Sequence, residues 1–377
     1  MFTSIRNKVA QNLINYKGWN TDRKIIVFES DDWGSIRMPS QRVYSELLNK
    51  EIPVDKSPYC KYDSLASEED LNALLEQLSA VTDSNGRNPI FTANVVTTNP
   101  DFEKIKKSEF KQYHYELISK TFQRYPSHSN CLQIWKEGIR SKLFYPQFHG
   151  REHVNISLWL RLLQKGDKGF RVAFNNECWG LSCDVYPDMD RSVQASFDMA
   201  NESEISLHKK SIIEGLNQFE DLFGYRSRSF IANNFIWDSR LNKVLSYCGI
   251  KYIQGMKYQK LPLNGHKNRK FHRHYLGEKN NSGQTYLIRN CSFEPSLCSD
   301  NSNAIKSCMG AIDNAFYWNK PAIISTHRIN YVGFIDTKNR DRNLNTFKKL
   351  LDEIINKWPE VEFMTSVELG RLINNKS

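Results

Sequence analysis

The stretch Lys24-Ile25-Ile26-Val27-Phe28-Glu29-Ser30-Asp31-Asp32-Trp33-Gly34 constrains this 377-residue chain more than any other. A run this rich in β-branched residues and closed by glycine reads as a buried strand that stops at a turn. Two adjacent carboxylates at the mouth of such a strand are costly. Each makes the other harder to ionise unless a metal or another cation neutralises them. A cap or a turn is the ordinary explanation of an isolated Asp-Asp pair. Histidines further along the chain shift the balance toward chemistry.

Strand-like and helix-like segments alternate, which points to α/β architecture. Ser67 with Glu68, Glu69 and Asp70 opens a helix whose apolar stripe is Leu71, Leu74, Leu75 and Leu78. The pattern predicts strands at Pro89–Thr98, Phe144–Phe148, Ser229–Ala232, Lys251–Gln254, Tyr286–Phe293, Pro321–Ser325 and Val361–Thr365. Phe170–Phe174 also reads as extended. Helices are expected near Ser157–Gln164, Ser206–Phe223, Asp238–Cys248, Asn303–Trp318 and Arg342–Trp358. An apolar share of 40% with 12% aromatics supports a packed core. With no internal repeat and no low-complexity linker, one elaborated domain over residues 21–377 is expected, preceded by a docking helix within residues 1–20.

The first fourteen residues carry Phe2, Ile5, Val9, Leu13 and Ile14 near helical spacing, with Arg6 and Lys8 between them, and lack a secretory apolar run. No window approaches the roughly 20 apolar residues that span a bilayer. Eight cysteines are scattered without a Cys-x-x-Cys pair, which fits a reducing compartment better than a zinc ribbon. The expectation is a cytoplasmic protein, with peripheral membrane contact left open.

Phe148-His149-Gly150-Arg151-Glu152-His153 places two histidines at i and i+4, a spacing that on a helical turn lets both reach one metal ion. Ser325-Thr326-His327-Arg328 ends a buried strand, and catalytic groups collect at such strand ends in barrel and open-sheet folds. Two histidines and one carboxylate make a facial set for a divalent metal. The second carboxylate is then free as a general base, and the separate histidine as a general acid.

These elements resemble the polysaccharide deacetylase family, the NodB-homology domain, over most of the chain. Its first motif, Thr-Phe-Asp-Asp-Gly, is similar to Glu29-Ser30-Asp31-Asp32-Trp33-Gly34 with Trp33 inserted. The match implies Asp31 as catalytic base and Asp32 as metal ligand. His149-Gly150-Arg151-Glu152-His153 is similar to the family's His-x-x-x-His pair of ligands, and Ile323-Ile324-Ser325-Thr326-His327 to the strand ending in its catalytic histidine. Asp238 to Gln254 is similar to the helix and strand of the third motif. Phe230-Ile231-Ala232-Asn233-Asn234-Phe235 stands where the family has Pro-Pro, and the nearest arginines are Arg226 and Arg228.

The resemblance implies a distorted (β/α)7 barrel with insertions around 35–140 and 257–284. It also implies a divalent cofactor, zinc before cobalt, manganese or iron, and removal of an N-acetyl group from an amino sugar. Trp33 and Trp237, with Phe235 and Trp179, are candidates for stacking on a sugar, although burial is the ordinary fate of such aromatics. Arg228, Asn234 and Arg328 are assigned to the substrate side, and Glu294 to a supporting role.

A net charge of +10 favours an anionic partner, such as a charged or carrier-linked sugar. The basic loop Gly265–His274 is read either as a solvated surface or as a clamp through Lys267, Arg269, Lys270 and Arg273. No nucleic-acid motif is present. Two other readings remain: a hydrolase of another C–N or glycosidic bond, and a catalytically silent carbohydrate-binding protein.

Overall fold

The computed structural model describes residues 12–375. The expected N-terminal docking helix lies largely outside the described residues. The central sheet is parallel throughout. Its strands are β1 (Ile25–Trp33), β2 (Phe91–Val95), β5 (Phe144–Phe148), β6 (Ser229–Phe230), β7 (Tyr252–Gly255), β10 (Thr285–Ile288), β11 (Cys291–Ser292), β12 (Ala322–His327) and β13 (Glu362–Phe363). Two antiparallel hairpins stand outside it: β3 (Thr98–Pro100) with β4 (Tyr115–Leu117), and β8 (Tyr258–Lys260) with β9 (Phe271–Arg273).

Strand order runs β10-β7-β6-β5-β2-β1-β12-β11, with β13 beside the start of β1. The two ends of this path are one piece of chain, because only Arg289 and Asn290 separate β10 from β11. The Arg289 amide donates to Gly255 of β7 and the Asn290 amide to Ile323 of β12, at 2.9 and 3.2 Å. Segment 285–292 therefore pairs with β7 in its first half and β12 in its second. Counted as one strand, it brings the sheet to seven positions, a distorted (β/α) barrel.

The barrel interior is layered. Side chains alternate along β1, so Ile26 and Phe28 pack outward under the helices while Ile25 and Val27 turn inward. Ile25, Val27, Tyr252, Leu287 and Ile323 form an apolar floor, closed by Val367, Leu369 and Ile373 of the C-terminal helix Ser366–Asn375. Burial of such side chains is worth about 1.5–3 kcal/mol each. Above the floor the lining turns polar with Glu29, Thr92, Gln147, Ser229, Gln254, Arg289 and Ser325. Strict alternation would turn Asp32 away from the mouth that Asp31 faces. Instead Asp32 has φ +74°, and the β1–β2 register shifts between Ser30 and Trp33. This left-handed residue, a conformation aspartate tolerates better than most, brings both carboxylates to the C-terminal mouth.

Two local expectations are corrected. Phe170–Phe174 is not extended; it lies in the helix Lys168–Asn175, capped by Asp167. Phe170, Ala173 and Phe174 are its buried residues, and Phe174 packs on Phe102, Phe110 and Trp159. The tertiary contacts select the helical period over the alternating one. His149 and His153 do not share a helical turn. They lie in the loop between β5 and the helix Ile156–Gln164, where Gly150 has φ +112°. That loop joins Met38–Cys60 and Phe102–Phe110 in a second apolar cluster, which continues to Val193 and builds one wall of the mouth. No helix among the described residues is long and apolar enough to cross a membrane.

Candidate active site

Asp32, His149 and His153 converge at the mouth. Asp32 Oδ1 lies 2.9 Å from His153 Nε2 and 3.4 Å from His149 Nε2, and all three side chains are buried. Their candidate ligand atoms lie within 4.8 Å of one another. The donor set suits a divalent cation. His149 Nδ1 lies 3.0 Å from the Ile231 carbonyl oxygen, which fixes the ring with Nε2 toward Asp32. His153 Nδ1 has no hydrogen-bond partner among the described residues. Burial pushes the His153 imidazole down to about 4 against the pull of Asp32, so at neutral pH it has the neutral, ligating form. Burial pushes Asp32 up, but Arg37 and the two histidines outweigh it and hold this carboxylate well below its usual range.

The cost of two adjacent carboxylates is met by two arginines, Arg37 five residues beyond Asp32 and Arg289 far along the chain from Asp31. Arg37 donates to Asp32 Oδ2 at 3.2 Å and also approaches Asp63. Arg289 binds Asp31 through both Nη atoms, at 2.6 and 2.7 Å, and its Nε donates to Glu29 at 2.6 Å. Asn94 adds a bond to Asp31 Oδ1 at 2.8 Å. Burial opposes ionisation of Asp31, yet Arg289 prevails and its carboxyl sits below the ordinary value. Glu29 shares the guanidinium through a single bond; there burial prevails and the carboxyl is raised.

His327 Nε2 lies 3.8 Å from Asp31 Oδ2, and its Nδ1 is 2.6 Å from Glu294. Burial would lower this imidazole. The pull of Glu294, then of Asp32 and Asp31, overcomes burial and raises it to about 9. The imidazolium thus prevails below that value and is lost as pH rises through it. In metal-free protein the His327 ring protons should titrate near pH 9 by NMR. Glu294→Gln should move that titration down, and the alkaline limb of activity with it. A titration that ignores Glu294 would break the assigned link.

The mouth opens into a cavity of about 250 Å³ whose lining includes Asp31, Asp32, His149, His153 and His327. Asn234 and Phe235 also line it, both with positive φ. Glu294 touches it only through His327. The other substrate-side expectations are corrected. Trp33 is 1% exposed, donates to Ser30 and packs edge-on to Phe144. Trp237 is equally buried and donates to Asn242. Arg328 is fully buried in a two-bond pair with Asp63. Arg228 lies at the floor end of the barrel, where its carbonyl accepts from Lys251 and Tyr252. The sequence reading missed Arg37, Tyr59, Gln194 and Lys260, which line the cavity, and Arg289 and Asn94 beneath it. A buried run ending in arginine, Tyr286-Leu287-Ile288-Arg289, was the available signal for one of them.

No protein-family model and no curated protein matches the sequence. The fold, however, matches solved structures along nearly the whole chain. A Parabacteroides distasonis protein named as a glycoside hydrolase/deacetylase aligns over 96% of this chain and 74% of its own, with TM-score 0.52 and 8% identity. A Mycobacterium smegmatis protein named as a polysaccharide deacetylase aligns over 96% and 93%, with TM-score 0.47 and 9% identity. One from Pseudomonas aeruginosa PAO1, likewise named, aligns over 93% and 91%, with TM-score 0.46 and 9% identity. The chain has the barrel fold of the glycoside hydrolase/deacetylase type, in agreement with the resemblance seen in its motifs.

Proposed function

We propose that this protein hydrolyses the N-acetyl group of an amino sugar, with a divalent cation, zinc by preference, held by Asp32, His149 and His153. The observation that carries this reading is one cavity holding a buried Asp-His-His cluster with Asp31 and His327, 3.8 Å apart, beside it. The cation would supply Lewis-acid polarisation of the acyl oxygen and of the attacking water.

The chain's own residues supply the proton transfers. Asp31, oriented by Arg289 and Asn94, removes a proton from water as its oxygen adds to the amide carbon. His327 gives its proton to the sugar nitrogen as the C–N bond breaks, leaving acetate and an amine. Phe235 and Asn234 supply an apolar ring and an amide on the substrate side of the cavity.

The test is acetate and primary-amine release from N-acetylglucosamine oligomers by zinc-loaded protein, with metal content measured beside His149→Ala. The expected result is about one ion per chain, lost in the variant together with acetate release. Chain cleavage without acetate would move the protein to glycosidic hydrolysis. No metal and no product in either form would leave a carbohydrate-binding protein.

A further inference from the structure

The basic loop does not clamp the mouth as a whole. Arg269 is engaged inward, 2.8 Å from the buried Asp198. The β8–β9 hairpin beneath that loop has a different organisation. Its cross-strand pairs are Tyr258 with Arg273, Gln259 with His272 and Lys260 with Phe271. Gln259 is fully buried and donates to the Trp237 carbonyl, so its face holds the hairpin to the barrel. Alternation then puts Tyr258, Lys260, Phe271 and Arg273 together on the other face. Tyr258 and Phe271 are 49% and 56% exposed, unusual for rings of this size beside a cavity.

Lys260 is half-buried and lines the cavity. Its ammonium has no ion pair or hydrogen bond among the described residues. Of the other cations of the cavity lining, Arg37 is engaged by Asp32, Asp63 and Gln194, and the His327 imidazolium by Glu294. Burial and the neighbouring Arg269 both weigh against the charged form of Lys260, and a bound anion would relieve both.

We propose that this face is a substrate subsite for a phosphate- or carboxylate-bearing group attached next to the reacting amino sugar, with Lys260 binding the anion and Phe271 and Tyr258 stacking on the flanking ring. The inference rests on the acetamide occupying the adjacent cavity and names the substrate class: an anionic glycoconjugate. A neutral oligosaccharide would leave a partly desolvated ammonium unpaired. An anion at Lys260 makes a charge-assisted contact worth about tenfold in affinity.

The experiment uses calorimetry on the full chain carrying Asp31→Asn, so that binding is read without turnover. The probes are N-acetylglucosamine 1-phosphate, N-acetylglucosaminyl-glucuronate and the neutral methyl N-acetylglucosaminide. At least one charged probe should bind about tenfold more tightly than the neutral one, and which one identifies the anion. Adding Lys260→Gln should bring the ratio near one, and adding Lys260→Arg should keep it. Phe271→Ala should weaken the disaccharide more than the monosaccharide. Equal binding of charged and neutral probes, or a ratio indifferent to Lys260→Gln, overturns the subsite and leaves the hydrolase reading standing. Absence of acetate release from wild-type protein, with the ratio intact, overturns the hydrolase reading alone.

Discussion

Asp31→Asn should lower turnover about 10²–10⁴-fold, the usual contribution of a positioned general base, while the metal content stays that of the wild type. Asparagine keeps the shape of the side chain and one acceptor for the Arg289 fork, but it cannot take a proton at neutral pH. Asp31 Oδ2 is bound by Arg289 and lies 3.8 Å from His327, the geometry that the proposed base and acid require. Single-turnover acetate release with parallel metal analysis checks this. Near-full turnover would remove the base assignment. Loss of metal would mean that Asp31, not Asp32, is the ligand.

The second large effect is on stability. Arg289 is fully buried between Glu29 and Asp31 and is the guanidinium bonded to both. Arg289→Met leaves two buried carboxylates without it. Removing one partner of a buried ion pair costs about 3–5 kcal/mol, a large part of the roughly 5–15 kcal/mol that holds a domain folded. Chemical denaturation should show a loss of that order. Its pH dependence should identify the cause. Without Arg289 both carboxyls are raised above their unfolded values by burial, so the variant should be more stable at pH 5 than at pH 7, as protonation relieves them. Adding Glu29→Gln should return part of the loss. A variant as stable at pH 7 as at pH 5 would show that the guanidinium does not offset these charges.

The strands were legible because parallel strands buried on both sides open on continuous apolar runs, and Ile25–Phe28 and Ala322–Ile324 are such runs. The convergence of Asp31, Asp32, His149 and His327 was legible because each closes, or directly follows, a parallel strand, and His153 through its spacing from His149. What neutralises the carboxylates was not. Arg289 is linked to Asp31 only through the closed barrel, and Arg37, five residues beyond Asp32, meets it only because the turn after β1 folds back. The aromatics misled in the opposite sense. Trp33 and Trp237 stand beside motif residues in sequence, but the break in alternation at Asp32 turns Trp33 under the helices and packing buries Trp237. Phe170–Phe174 misled because its alternating apolar residues imitate a strand until the partners around Phe174 are known.

The segment that closes the ring has a consequence for assembly. Arg289 stands where that segment changes neighbours, from β7 to β12. A barrel built from the other six strands but still open would hold Glu29 and Asp31 without this cation, and would expose two unpaired strand edges. Both penalties vanish in the same step, when residues 285–292 seat. Half-made barrels are therefore disfavoured by charge as well as by unmet backbone groups, which sharpens the transition between open and closed forms. The arginine that grips Asp31 is also the latch of the ring: a chain whose barrel has not shut leaves this aspartate without its guanidinium.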